Sequence, residues 1–232
     1  MSKYKVIAFD MDGTLLNSRK QISEHTLEAI NSAFDAGKEV ILSTGRCVAE
    51  LREYFKRIPR LRYVVCSIWG MSFFCTMDSI ASRCTIRSSF LLSVRIFSAS
   101  SIEIEFEYRI FSSFTSYRIA PLEQTTEGRE KTRKRLAGLD LVLADAEKTA
   151  LECSATGVTK GTGLLRLCEH QGVELEETIA IGDADNDLNI LETAGLAIAV
   201  GNANEHVKAV AAVVVNDCDH DGCAEAIDKY LL

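Results

Sequence analysis

The run Val6-Ile7-Ala8-Phe9 stops at two carboxylates, Asp10 and Asp12, set one residue apart and followed at once by Gly13. Four or more apolar residues bounded by a turn signal read as a fully buried strand, and open α/β sheets bind ligands beyond the carboxyl ends of such strands. The pair therefore stands where chemistry is usually done, one carboxylate a candidate nucleophile and its neighbour a candidate acid/base. Asp-x-Asp-Gly also occurs in surface turns and in calcium loops. In this chain, however, no ladder of Asp, Asn or Gly and no Glu follows at calcium-loop spacing.

The elements that must position this pair alternate strand and helix. After the first strand, Ser23 to Ala36 shows helical spacing at Leu27, Ile30, Ala33 and Phe34, with Ser23 as N-cap and Gly37 as stop. A strand at Val40 to Leu42, a helix at Val48 to Ile58 and a strand at Tyr63 to Cys66 follow. The alternation returns at Lys160 with a helix to His170, the strand Thr178 to Ile181, a helix at Asp187 to Thr193 and the strand Leu196 to Val200. A helix around Glu205 to Ala211, a strand at Ala212 to Val215 and a C-terminal helix from Gly222 close the pattern. This predicts a doubly wound α/β fold with a parallel, Rossmann-like sheet.

Three further clusters lie at the ends of these elements: Leu42-Ser43-Thr44-Gly45-Arg46, Gly157-Val158-Thr159-Lys160-Gly161 and Gly182-Asp183-Ala184-Asp185-Asn186-Asp187. With Asp10-Met11-Asp12-Gly13-Thr14-Leu15 they resemble, in order, the four motifs of the haloacid dehalogenase (HAD) superfamily, in the form used by its Cof-type sugar-phosphatase-like branch. One such motif is weak; four in sequence are specific. The resemblance implies a core of residues 1–66 and 153–232 with an inserted α+β cap at 67–152.

It also implies a mechanism. Asp10 attacks a phosphomonoester in line to form an aspartyl-phosphate that water then hydrolyses. Asp12 donates a proton to the leaving alkoxide and later takes one from water, a role for which neighbouring carboxylates should raise its pKa. Thr44, Gly45, Lys160 and Asn186 contact the phosphoryl group. So much negative charge requires a hard cation, Mg²⁺, held by the side chains of Asp10 and Asp183 and the backbone carbonyl of Asp12, with Asp187 orienting a bound water or Lys160. The implied activity is a Mg²⁺-dependent phosphatase of small phosphorylated metabolites, sugar phosphates or related compounds. A phosphomutase, or a non-catalytic remnant with a damaged cap, is the alternative. P-type ATPases share the motifs but need membrane spans.

The middle of the chain departs from the rest. Ser67 to Ser116 is dense in serine, lacks lysine and proline, and has Gly70 as its only glycine, so it offers few turn residues. Strand-like pieces are still read at Ile102 to Tyr108 and Leu139 to Leu143. Relatives commonly carry an Asn-Gly-Ala turn after the strand that ends near Ser67, where this chain has Trp69-Gly70-Met71. Read one base later, and with suitable third bases, the codons of Trp69-Gly70-Met71-Ser72 encode Gly-Ala-Cys. A shifted reading frame within 67–126 is thus one expectation and a divergent cap the other.

Composition narrows the partners. A chain of 232 residues with 47% hydrophobic residues can bury one large core or two modest ones. A net charge of −7 gives no reason to expect nucleic acid or an anionic membrane, and the short basic cluster Arg129 to Arg135 reads as a solvated helix face. No stretch reaches the roughly 18 uncharged apolar residues of a membrane span, and the N-terminus enters a strand without a signal peptide, which points to the cytoplasm. Eight cysteines fall without paired metal spacing. Cys218-x-His220-x-x-Cys223 offers only three ligands in an acidic surround, so free thiols are expected. His25, His170, His206 and His220 are scattered and read as solvent-facing.

Overall fold

The computed structural model describes residues 2–46, 48–68 and 159–232 throughout, and between 69 and 158 the strands and helix named below with Thr125, Ala137 and Gly157. The chain opens with β1 (Val6–Phe9), α1 (Glu24–Asp35), β2 (Glu39–Thr44), α2 (Val48–Arg57), β3 (Tyr63–Ile68) and β4 (Met71–Thr76). An insertion follows as β5 (Ser89–Leu91), β6 (Val94–Phe97), β7 (Glu103–Phe106), β8 (Arg109–Phe111), β9 (Ser116–Ile119), α3 (Thr126–Leu136), β10 (Leu141–Glu147) and β11 (Ala150–Ala155). The chain then runs through α4 (Lys160–Gln171), β12 (Thr178–Gly182), α5 (Leu188–Thr193), β13 (Leu196–Ala199), α6 (Glu205–Val210), β14 (Val213–Val214) and α7 (Gly222–Ala226). Single turns of helix stand at Leu175–Glu177 and Asp185–Asp187, and a π-helical turn, Ile227–Leu231, ends the fold.

Seven strands form the main sheet in the order β14-β13-β12-β1-β2-β3-β4. β1 is central and pairs in parallel with β12 and β2, Phe9 lying opposite both Ile181 and Leu42. A strand covered on both faces must be apolar throughout, which is why all four residues of β1 are buried. The sheet is parallel, as expected, except that β4 runs antiparallel to β3 at the edge. Two residues separate β3 from β4, and a parallel crossover needs a dozen or more, so a hairpin is the only pairing open to them.

From β1 the chain moves outward through β2 and β3, then returns to β12 on the other flank of β1. The direction of winding reverses there, so the crevice beyond the carboxyl ends of β1 and β12 is a topological switch point. Helix ends hold this arrangement in register. Ser23 Oγ accepts from the Thr26 amide at 3.0 Å to start α1, whose Leu27, Ile30 and Ala33 are buried, and left-handed Gly37 follows its end. Thr159 caps α4 by accepting from the Thr162 amide, and left-handed Gly172 ends it.

In the insertion, β10, β11 and β9 make a three-stranded antiparallel sheet, while β5 with β8 and β6 with β7 make two ribbons. Of the strand pieces expected at 102–108 and 139–143, residues 103–106 lie in β7 and 141–143 in β10, and the others lie outside the described residues. Arg133 on α3 donates to the Leu143 carbonyl of β10 at 3.4 Å. Trp69, Gly70 and residues 77–88 of the serine-rich segment lie outside the described residues. Among the described residues no helix is long and apolar enough to cross a membrane.

Ile7 sits fully buried in the central strand. Ile7→Ala should lower unfolding stability by about 2–5 kcal/mol. Val214→Ala on the edge strand, 53% exposed in the native chain, should stay within about 0.5 kcal/mol of wild type. Urea denaturation followed by circular dichroism measures both.

Candidate active site

Asp10 follows β1, Thr44 closes β2 and Asp183 follows β12, so three adjacent strand ends deliver three polar side chains to the switch point. The N-terminus of α4 supplies a fourth. Lys160, its first residue, is 2% exposed, and its Nζ donates to Asp10 Oδ1 and Asp187 Oδ1, each at 2.6 Å. An ammonium at a helix N-terminus opposes the helix dipole, so the carboxylates hold it there against helix preference. Asp187 Oδ2 accepts from the backbone amides of Asp183 at 3.0 Å and Ala184 at 3.2 Å. Both Asp187 oxygens are thus engaged with the protein, one on Lys160 and one on the turn that carries Asp183.

Gly13 has a φ of +88°, and a Cβ there would stand 2.5 Å from Asp183 Oδ2. Only glycine allows the first loop this approach. Thr14 Oγ1 donates to Asp183 Oδ1 at 3.0 Å, and Asn202 Nδ2 donates to the Gly13 carbonyl at 2.7 Å, tying the loop from both sides. Thr44 is buried, and its Oγ1 accepts from the Arg46 amide at 3.1 Å, which leaves its own proton to donate. Gly45 follows Thr44 and is half-buried; Asn186 is half-buried in the turn that includes Asp187.

Oxygens of Asp10, Asp183 and Asp187 lie within 4.8 Å of one another. Burial, and then the charge of Asp187, push the Asp10 carboxyl well above the usual carboxylate range against the pull of Lys160. Burial and Asp187 likewise push Asp183 up to about 7, while the Thr14 hydrogen bond draws it down. Three carboxylates against one ammonium, with oxygen as the only donor type, fit a hard divalent cation. Asp10 and Asp183 have the freer oxygens to give it.

Asp12 is held differently. Arg46 grips its carboxylate with a fork, Nε on Oδ2 and Nη2 on Oδ1, both at 2.6 Å, and Lys20 Nζ adds a bond to Oδ1 at 2.8 Å. Burial pushes Asp12 up, but the hydrogen bonds and charges of Arg46 and Lys20 outweigh it and hold the carboxyl well below the usual range. The expectation of a raised Asp12 is therefore corrected: two cations intervene, and the raised groups are Asp10 and Asp183.

Sequence reasoning gives no role to Lys20 or Arg46. Arg46 stands inside the second motif, two residues past Thr44, a signal that could have found it. Lys20 has no such signal, since it reaches Asp12 through a left-handed backbone with a φ of 58°. Such a conformation costs a non-glycine residue about 1–3 kcal/mol and needs outside support. Asn17 provides it: its Oδ1 accepts from the amides of Arg19 and Gln21 at 3.0 Å, and its carbonyl accepts from the Lys20 amide at 2.8 Å. His25, His170, His206 and His220 are exposed. Cys223 is buried with Sγ 3.4 Å from the Thr14 carbonyl, while His220 turns to Asp217 at 2.7 Å.

A doubly wound α/β core with an acidic, lysine-bridged site at its switch point defines a hydrolase of the phosphoryl-transfer type. A profile of the haloacid dehalogenase-like hydrolase family matches residues 7–68 and 95–227, and the chain belongs to that family, in its Cof-type branch. The stretch left unmatched, 69–94, falls within the serine-rich segment. The chain is 29% identical to 5-amino-6-(5-phospho-D-ribitylamino)uracil phosphatase YcsE of Bacillus subtilis, over 98% of this chain and 96% of that protein. It is also 29% identical to a phosphoglycolate phosphatase of Methanoculleus marisnigri, over 97% and 96%. Its fold is similar to that of a haloacid dehalogenase-like hydrolase from B. subtilis, with a TM-score of 0.72 and 24% identity over 97% of this chain and 99% of that one. A phosphatase of the same superfamily from Bacteroides thetaiotaomicron gives 0.74 and 20% over 98% and 95%. The protein is a HAD-type phosphatase.

The raised Asp183 carboxyl favours the folded state fully below its ordinary value of 3.8, and that contribution is lost as pH rises through about 7. Without added metal, the melting temperature should therefore fall between pH 4 and pH 7 by more in wild type than in Asp183→Asn. A divalent cation should raise the melting temperature of wild type at pH 7.5 by several degrees, at about 2–4 °C per kcal/mol for a chain of this size. Asp183→Asn should lose most of that shift. Differential scanning fluorimetry reads all of these.

Proposed function

We propose that this phosphatase is Mg²⁺-dependent and hydrolyses small phosphorylated metabolites, sugar phosphates or related compounds, through an aspartyl-phosphate on Asp10. In this reading residues 1–66 and 153–232 form the catalytic core, and 67–152 form the cap that covers it. The observation that carries it is the buried Lys160 ammonium shared by Asp10 and Asp187, with Asp183 beside them. Relatives named for phosphoglycolate and for a phosphoribitylamino-uracil support a small phosphorylated substrate. Free Cys168, Cys218 and Cys223 support a reducing cytoplasm.

Asp10 has Oδ1 tied to Lys160, which leaves its other oxygen to attack phosphorus in line while the bond from phosphorus to the leaving oxygen breaks. The Thr44 hydroxyl, the Gly45 amide and Asn186 donate to the transferring oxygens, and Lys160 offsets their charge. Asp10 and Asp183 side chains with the Asp12 carbonyl would hold the Mg²⁺, which when bound supplies the positive charge that ionises the site and polarises the phosphoryl group. Asp187 keeps Lys160 and the Asp183 turn in place.

Asp12, held ionised by Arg46 and Lys20, is ready to accept a proton from the water that cleaves the aspartyl-phosphate. To protonate an alkoxide in the first step it must part from these cations and take up a proton as substrate enters. An aryl leaving group needs no such proton.

Hydrolysis of p-nitrophenyl phosphate should require Mg²⁺ and fall by roughly three orders of magnitude in Asp10→Asn, about 4 kcal/mol of barrier. No turnover by folded, Mg²⁺-saturated wild type would instead support a non-catalytic binding protein. In Asp12→Ala, kcat for glycerol 3-phosphate should fall at least about tenfold further than kcat for p-nitrophenyl phosphate, as expected for loss of a general acid. Steady-state assays on the two esters make the comparison.

A further inference from the structure

We propose that Lys20 is a specificity residue whose ammonium binds a second anionic group, a carboxylate or a second phosphate, on the alcohol portion of the substrate. The proposal rests on the phosphatase reading above and names a substrate class within it.

Asp12 does not need Lys20 for its own pairing. The guanidinium of Arg46 already matches the carboxylate with two bonds of 2.6 Å, the planar fork such a pair prefers. The added ammonium is the outer member of the group: the Lys20 side chain is 55% exposed, against 19% for Arg46 and Asp12. Of its three donors, one is used among the described residues, on Asp12 Oδ1.

Its placement is also built. The left-handed backbone at Lys20 is held by Asn17 from within the turn, and the Tyr54 hydroxyl donates to the Lys20 carbonyl at 3.5 Å. Tyr54 in turn lies under Arg46, whose guanidinium carbon is 5.5 Å from the ring centroid. Lys20, Arg46 and Tyr54 thus form one packed unit around Asp12. Lysine in a free surface turn would adopt an unstrained conformation and keep its ammonium in water.

Location then decides what this ammonium meets. The deep side of the site, with Asp10 and Lys160, takes the phosphoryl group; Asp12 serves the leaving oxygen. A cation on the solvent side of Asp12 therefore faces the alcohol that carries that oxygen. A neutral alcohol would offer it only weak hydrogen bonds, whereas a nearby anion would make a charge-assisted one, roughly twice as strong.

The test compares 3-phosphoglycerate with glycerol 3-phosphate, which differ in the carboxylate, using kcat/KM in wild type, Lys20→Gln and Lys20→Arg. Wild type should prefer 3-phosphoglycerate, Lys20→Gln should lose roughly tenfold of that preference mainly through KM, and Lys20→Arg should keep most of it. Fructose 1,6-bisphosphate against fructose 6-phosphate makes the same comparison for a second phosphate and tells which anion is taken. A preference unchanged in Lys20→Gln, or absent in wild type for both pairs, overturns the proposal. Calorimetric binding of the same esters to Asp10→Asn, with and without Lys20→Gln, keeps the two readings apart. Absent turnover sinks the catalytic reading alone, and affinities indifferent to Lys20 sink this one.

Discussion

Lys160 carries an ammonium into a buried position, where an unpaired ion would cost several kcal/mol. Two of its partners come from distant parts of the chain, Asp10 150 residues away and Asp187 27 residues away. Much of the core can be read as the means of bringing them together. β1 and β12 must be neighbours for Asp10 and the Asp183 turn to meet, and α4 must begin just after its cap Thr159 for Lys160 to point inward. Close packing fixes the rest: a Cβ on Gly161 would come within 2.7 Å of the Asn189 carbonyl, and one on Gly182 within 2.5 Å of Asp187. The first glycine lets α4 lie against α5; the second lets the Asp187 side chain fold back over the strand end.

The site divides by charge into two halves that sit side by side. Inside, three carboxylates share one ammonium, and burial and the charge of Asp187 push the carboxyls of Asp10 and Asp183 up. Outside, one carboxylate has two cations and is held down. A cation is drawn to the first half and an anion to the second, so the same loop, Asp10 to Gly13, faces opposite fields within three residues. Gly13 makes this turn physically available, since its left-handed backbone brings Asp183 against the loop without a side chain between them.

The insertion plays a different part. β10 lies close to the Asp185–Asp187 turn, so the three-stranded sheet stands beside the catalytic end of the core. The stretch that the family profile skips, 69–94, includes the edge strand β4 but none of the core strands that carry Asp10, Thr44 and Asp183.

The sequence by itself determined what depends on near neighbours along the chain. An apolar run between turn signals reads as the buried β1, Ser23 and Thr159 announce helix starts by their side-chain oxygens, and strand and helix alternate as a doubly wound sheet must. The catalytic candidates were legible for the same reason, since Asp10, Thr44, Lys160 and Asp183 each stand at the end of such an element. Only the tertiary structure decided how they are charged. That Asp12 is held low while Asp183 is raised depends on Arg46 and Lys20 reaching across space and on the depth of burial, quantities with no local period in the sequence. The left-handed turn at Lys20 is likewise invisible in residue types, because a lysine there is stable only where Asn17 and Tyr54 close around it.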